Sequence, residues 1–181
     1  MLGPEHPDTL RTMSHFACLL QAQGKLVEAE RMFRLAMHGF EVKLGANHVE
    51  TLQSANHLSC LLAAQSKISD AEPFCRHALE GYEMAFGIYH PETLRTVNNY
   101  ACLLEAKGKF KEAERLYRVA MHGREVKLGA EHPDTVQSMN QLACLLTNRG
   151  KKGEAEDLYR RVLKHYEATL GATHRSTLTS I

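Results

Sequence analysis

No apolar run in this sequence approaches the roughly 18 residues that a membrane-spanning helix needs. The N-terminus shows neither the charged segment nor the apolar core of a signal peptide, so none is expected. There is no surplus of either charge. The formal net charge is +1, which provides no broad basic field for nucleic acid or anionic lipid. No glycine-rich phosphate loop follows a strand pattern, and neither GxSxG nor HExxH occurs. Nor is there an even set of cysteines. Five are present, four of them at one regular spacing, which predicts free thiols in the cytoplasm or another reducing intracellular compartment. What remains is an ordinary globular balance of 44% hydrophobic and 24% charged residues.

The chain does have repetition. The stretch LGAEHPDT at Leu128 appears as LGPEHPDT at Leu2, LGANHVET at Leu44, FGIYHPET at Phe86 and LGATHRST at Leu170, a 42-residue step each time. The units run 2–43, 44–85, 86–127 and 128–169, with a truncated fifth over 170–181. Units one and three share 26 of 42 positions and units one and two share 18, which suggests a duplicated two-unit block. Repetition at this period predicts a solenoid.

Each unit reads as two helices. Pro7 suits a first helical position, and Asp8 suits the positive end of the helix dipole. Leu10, Met13, Phe16, Ala17 and Leu20 then form a helical stripe, and Gly24 ends the helix. Gly108 and Gly150 repeat that stop, while Ser66 replaces it in unit two at a cost of up to ~1 kcal/mol. Leu26, Ala29, Phe33, Ala36 and Phe40 mark a second helix, which Gly45 closes. The LGxxHPxT loop therefore stops one helix and starts the next. Small residues such as Ala17, Ala29 and Ala36 alternate with large ones such as Phe16 and Phe33, as close antiparallel packing requires. One hairpin cannot bury both its faces, so the next must cover it.

The order A-C-L-L-x-A-x-G-K-x-x-E-A-E-x-x-x-R-x-A resembles the tetratricopeptide repeat, and the 42-residue period resembles its kinesin light chain and nephrocystin-3-like branch. The resemblance implies an all-α fold, a right-handed α-solenoid of antiparallel helix hairpins. It also implies binding of a peptide or protein segment on a concave face built mainly from the first helix of each pair. Aligned on the alanine and glycine positions, that face takes Arg11, Ser14, Cys18 and Gln21 from unit one and Gln53, Asn56 and Cys60 from unit two. Units three and four add Arg95, Asn98, Cys102 and Glu105, then Gln137, Asn140, Cys144 and Asn148. Steps of three and four keep these on one exposed stripe. Asn56, Asn98 and Asn140 form an amide ladder suited to the backbone of an extended segment, and Arg11 and Arg95 suit acidic side chains. Repeats that clamp a terminal carboxylate carry asparagine where Cys18, Cys60, Cys102 and Cys144 stand here, so a chaperone C-terminus is not the expected ligand.

Other recurrent residues read as structure. Consecutive repeats lie too far apart for the cysteine ladder to form disulfides or a shared zinc site. Cys75 occupies a core position held by Phe33, Tyr117 and Tyr159 elsewhere. His6, His48, His90, His132 and His174 read as loop-stabilising or capping groups, and the pairs His15–Cys18 and His57–Cys60 lack further ligands. Glu30–Arg34, Glu72–Arg76, Glu114–Arg118 and Glu156–Arg160 read as exposed helical pairs worth ~0.3–0.5 kcal/mol each. Pro73 predicts a later start for the second helix of unit two and marks that unit as the first to flex.

The sequence thus points to a protein–protein interaction scaffold, with neither enzymatic activity nor a cofactor. An architectural subunit or spacer docking along its length is the alternative. Neither end carries a polar capping helix, so a longer parent array or self-association through the uncapped repeat ends is expected.

Overall fold

The computed structural model describes Gly3 and residues 6–170. Those residues form eight helices and no strand. The first helices of the hairpins are α1 (Pro7–Ala22), α3 (Val49–Ala64), α5 (Pro91–Ala106) and α7 (Pro133–Asn148). The second helices are α2 (Leu26–Leu44), α4 (Ile68–Phe86), α6 (Phe110–Leu128) and α8 (Lys152–Leu170). Both sets start at the 42-residue step of the sequence. The truncated fifth repeat, with His174, lies outside the described residues beyond Leu170. No described helix is long and apolar enough to cross a membrane.

The LGxxHPxT loop works through three of its residues. Gly45 adopts φ 95°, ψ 161°, and Gly87 and Gly129 match it. That region is open essentially only to glycine. The Gly45 carbonyl accepts the His48 N–H at 3.3 Å and the Thr51 hydroxyl at 2.8 Å. His48 in turn caps α3, its Nδ1 accepting the Glu50 N–H at 3.3 Å. His6, His90 and His132 cap α1, α5 and α7 in the same way at 3.2–3.3 Å. The histidines are N-caps, taking the place that serine or aspartate usually fills.

The turn inside each hairpin is a Schellman motif. Lys25 N–H reaches the Leu20 carbonyl at 2.9 Å, and Gly24 N–H reaches Gln21 at 3.0 Å. Gly24 stands at φ 77° and Ser66 at φ 62°, so the serine occupies the glycine conformation unchanged. The later start expected for α4 is not found. It begins at Ile68, in register with Leu26 and Phe110, and Pro73 lies inside it. Proline removes the bond to the Ser69 carbonyl, but both residues are exposed, so water replaces it.

By contacts the chain divides into two units, Met1–Leu103 and Leu104–Ile181. In the first, α1 packs on α2, α2 on α3 and α3 on α4. Ala17, Ala29 and Ala71 let the backbones approach, and Phe33, Leu58, Leu61 and Leu62 fill the space, each essentially inaccessible. Cys75 belongs to this cluster and is fully buried. Gly39 and Gly81 mark closer contacts still. A Cβ on Gly39 would lie 2.5 Å from Leu10 Cδ2. In the second unit α7 packs against α6 and α8, with Leu142, Ala143, Leu146 and Val162 buried.

Candidate peptide-binding face

In the first unit α1 and α3 lie beside one another, and ion pairs fix their first turns. Arg11 donates from Nε and Nη2 to Glu50 Oε1 at 3.1 and 2.8 Å, and from Nη1 to Asp8 Oδ1 at 2.8 Å. Arg95 grips Glu92 in the same turn of α5 through Nε, at 3.1 Å, and Nη2. The Asn56 amide meets that guanidinium. With its oxygen turned toward the cation, it accepts from Arg95 Nη1 at 2.9 Å and Nη2 at 3.2 Å. This orientation turns the amide oxygen, and not the NH2, on the guanidinium, and leaves the NH2 facing the Asn99 amide. The Asn99 amide lies 3.2 Å from the Asn56 amide and 3.3 Å from Cys60 Sγ. Asn56, Arg95, Asn99 and Cys60 thus form one polar seam between α3 and α5.

The structure divides the expected stripe. Arg11, Gln53, Gln137 and Asn148 are exposed, and Gln21, Arg95, Glu105 and Asn140 are half-buried. Glu105 accepts the Tyr117 hydroxyl at 3.0 Å. Ser14, Asn56 and Asn98 are not exposed as expected. They retain 9%, 0% and 5% of their accessible surface. Ser14 is turned onto its own helix, its Oγ donating to the Leu10 carbonyl at 3.2 Å. Asn56 is used up by the inter-helix seam, and the Asn98 Oδ1 is buried with no hydrogen-bond partner. Asn56 and Asn98 are therefore internal, and of the three amides only Asn140 keeps a partly open surface. Of the expected residues, Asn56 and Arg95 are brought into contact, while Arg11 is engaged by Glu50 and Asp8.

All five cysteines are free. Burial pushes the Cys60 and Cys18 thiols up and takes Cys75 to about 12, which favours the protonated form of each. Among the described residues no group of three or more His, Cys, Asp or Glu side chains is placed to hold a metal ion. His57 packs its ring on Phe33, with centroids 5.6 Å apart, and its Nδ1 is buried without a hydrogen-bond partner. Burial first, then the Arg95 charge, holds His57 below its ordinary pKa.

Glu156–Arg160 is an exposed helical pair as expected, but Glu30, Glu72 and Glu114 are largely buried beside their arginines, so those three pairs are not simple exposed ones. Glu30 also takes Lys67 Nζ from the next hairpin at 2.9 Å, and Lys67 is the largest cause of its lowered pKa. Glu114, 7% exposed, gathers Arg118 at 2.9 Å, Lys151 at 2.8 Å and Arg149. Arg118 reaches on to Glu154 at 2.5 Å. The recurrent lysine after the turn glycine is the signal that could have revealed this bridge. Arg124 was also missed. It breaks the aromatic column of Phe40, Tyr82 and Tyr166, yet is buried, with Nη1 on the Asp134 carbonyl at 2.9 Å and Ser138 Oγ at 2.7 Å.

Two family models described as tetratricopeptide repeat match the chain, one over residues 61–125 and one over residues 9–50 and 135–176. Solved structures share the fold. A candidate kinesin light chain from Podosopora anserina with nearly identical TPR-like repeats aligns at 24% identity and TM-score 0.84, covering 97% of this chain and 83% of its own. BtubC (BKLC) from P. vanneervenii aligns at 20% identity and TM-score 0.82, covering 91% and 66%. Aspartyl phosphate phosphatase F from Bacillus subtilis aligns at 12% identity and TM-score 0.75, covering 90% and 41%. No curated protein matches the sequence. The eight helices in register and the two matching models converge on one assignment: the chain belongs to the tetratricopeptide repeat family, an all-α solenoid of helix hairpins.

Proposed function

We propose that this protein is a non-catalytic interaction module that holds an extended segment of a partner polypeptide against the first-helix face of its first unit. One observation carries the reading. The polar seam of Asn56, Asn99 and Cys60 holds Arg95, still about one-third exposed, in a fixed position on a face that also offers Gln53 and Cys18 to solvent. Fixed donors on rigid helices lose little entropy when they bind a chain. Because Arg11 and Arg95 already hold Asp8, Glu50 and Glu92, their charge is largely compensated. Recognition on this face then rests on hydrogen bonding to the segment's backbone more than on attraction to acidic side chains. The free cysteines support a reducing compartment.

The test is a displayed peptide library panned on the full chain and on a Cys18→Arg/Gln53→Arg variant. Both positions are exposed, so the fold is preserved. Peptides selected by the wild type should lose binding to the variant. Equal binding by both proteins removes the proposed face.

A second reading, docking along the second helices, has its own support. Val42, Met84 and Val126 occupy one register position near the ends of α2, α4 and α6 and are 63%, 83% and 62% exposed. An architectural partner would cover them. Val42→Lys and Met84→Lys would then abolish the complex and leave peptide capture intact.

A further inference from the structure

On the outer side of α2 three cations and one carboxylate line a single hollow. We propose that this hollow binds a phosphorylated serine or threonine of a partner polypeptide, whose neighbouring apolar residues lie on Val27 and Leu35.

The lining residues are Val27, Glu30, Arg31, Arg34 and Leu35 of α2 and Lys67, the residue before α4. The hollow thus lies between two hairpins that are both described, and no chain end exposes it. Glu30 holds two of the cations in place. Its Oε1 accepts from Arg34 Nε at 3.0 Å and its Oε2 from Lys67 Nζ at 2.9 Å. Arg34 also lies over the Phe74 ring, 5.6 Å from its centroid. Arg31 is exposed and makes no ion pair or hydrogen bond among the described residues. Glu28 and Asp70 are exposed and pair with none of the three cations. Three cations against one carboxylate leave two positive charges in excess, in a chain whose net charge is only +1.

A phosphoryl group brings about two negative charges and three acceptor oxygens. The donors for them are present. Arg31 offers its whole guanidinium, Arg34 keeps Nη1, and Lys67 keeps two ammonium protons beyond its bond to Glu30. A single carboxylate would leave one positive charge unmatched. Because Glu30 and Phe74 already fix Arg34, and Glu30 fixes Lys67, little order remains to be imposed on binding. Val27 and Leu35 stand one helical turn either side of Arg31 and are 81% and 46% exposed. Apolar residues flanking a confined charged hollow suit a peptide, whereas an anionic membrane calls for a broad basic field that a net charge of +1 does not supply. The set is not general to the repeat. α4 carries Ser69, Pro73 and His77 where α2 has Val27, Arg31 and Leu35, and α6 replaces Val27 by Lys111 and commits Arg118 to Glu154.

The experiment probes the full chain with a peptide array that fixes a central phosphoserine among randomised neighbours, beside the same peptides carrying serine or aspartate instead. The wild type should retain phosphopeptides with aliphatic or aromatic residues near the phosphoserine, and release their serine and aspartate counterparts. Arg31→Glu and Val27→Asp should each weaken the best phosphopeptide about tenfold or more, as the loss of a charged hydrogen bond or an added like charge requires. Both positions are exposed, and circular dichroism verifies that the helices remain. The Cys18→Arg/Gln53→Arg variant should bind that peptide as the wild type does, which separates this site from the first-helix face. No preference for phosphoserine over serine overturns the proposal, as does equal retention of the aspartate peptides. Binding indifferent to Arg31→Glu, or lost in the Cys18→Arg/Gln53→Arg variant, overturns it equally. So does binding to phosphatidylserine vesicles with no phosphopeptide retained.

Discussion

Leu52 of α3 lies directly over Gly81 of α4: a Cβ on that glycine would stand 2.4 Å from Leu52 Cδ2 and 2.6 Å from Cδ1. Leu52 is fully buried and has no room to swing aside. Gly81→Ala should therefore destabilise the fold by ~1–3 kcal/mol through overpacking, less the ~1 kcal/mol that alanine gains over glycine in a helix. Gly153 at the start of α8 has nothing within 4 Å, so Gly153→Ala should be neutral or slightly stabilising. Urea denaturation of both variants checks the contrast.

Ser66 is the only described non-glycine residue with positive φ, in a turn where Gly24, Gly108 and Gly150 do the same task. Ser66→Gly should stabilise the protein by up to ~1 kcal/mol, since the left-handed conformation costs a side chain about that much. The reverse change at Gly45 meets no side chain but an unfavourable backbone region, and Gly45→Ala should cost ~1–3 kcal/mol. Thermal melts of the two variants should move in opposite directions.

His57 gives a pH dependence of known sign. Its folded pKa lies below the ordinary 6.5, through burial and the Arg95 and His15 charges and against the opposing pull of Glu92. The unfolded chain therefore binds this proton first. Its contribution to stability is complete above pH 6.5 and is lost as pH falls through that value toward the folded pKa. His57→Gln places there the residue type that Gln141 supplies in the fourth repeat. Between pH 7 and 5 the variant should lose less stability than the wild type, measured as the difference in urea midpoints.

Glu114 and Glu156 occupy the same register but different surroundings. Glu114→Gln abandons Lys151, Arg118 and Arg149, and should cost about 2 kcal/mol, the worth of charged hydrogen bonds in a part-buried site. Glu156 is 62% exposed and among the described residues pairs with Arg160 alone, so Glu156→Gln should change stability by less than ~0.5 kcal/mol. High salt should narrow the gap only in part, because the Glu114 carboxylate is nearly buried while Arg118 and Lys151 reach solvent.

Much of this was legible beforehand. Gly24, Gly45 and Pro7 mark the helix limits because their backbone preferences are local, and Ala17, Ala29 and Cys75 declare the core by position in a repeated column. Pro73 misled because its cost depends on whether water reaches the Ser69 carbonyl, which is a matter of exposure. Asn56 and Asn98 misled for a related reason. Helical spacing places them on the first-helix stripe, but only the neighbouring helix decides whether that edge of the stripe is open.

By itself the sequence determined the period, the paired helices, the punctuation between them and the residues available for the core. These follow from local conformational preference and from hydrophobic spacing along one helix. Only the tertiary structure decided that Asn56 joins Arg95 and Asn99 in a buried seam, and that Lys151 and Arg149 close on Glu114. Those partners come from other helices, and a polar side chain's fate depends on what packing brings to it.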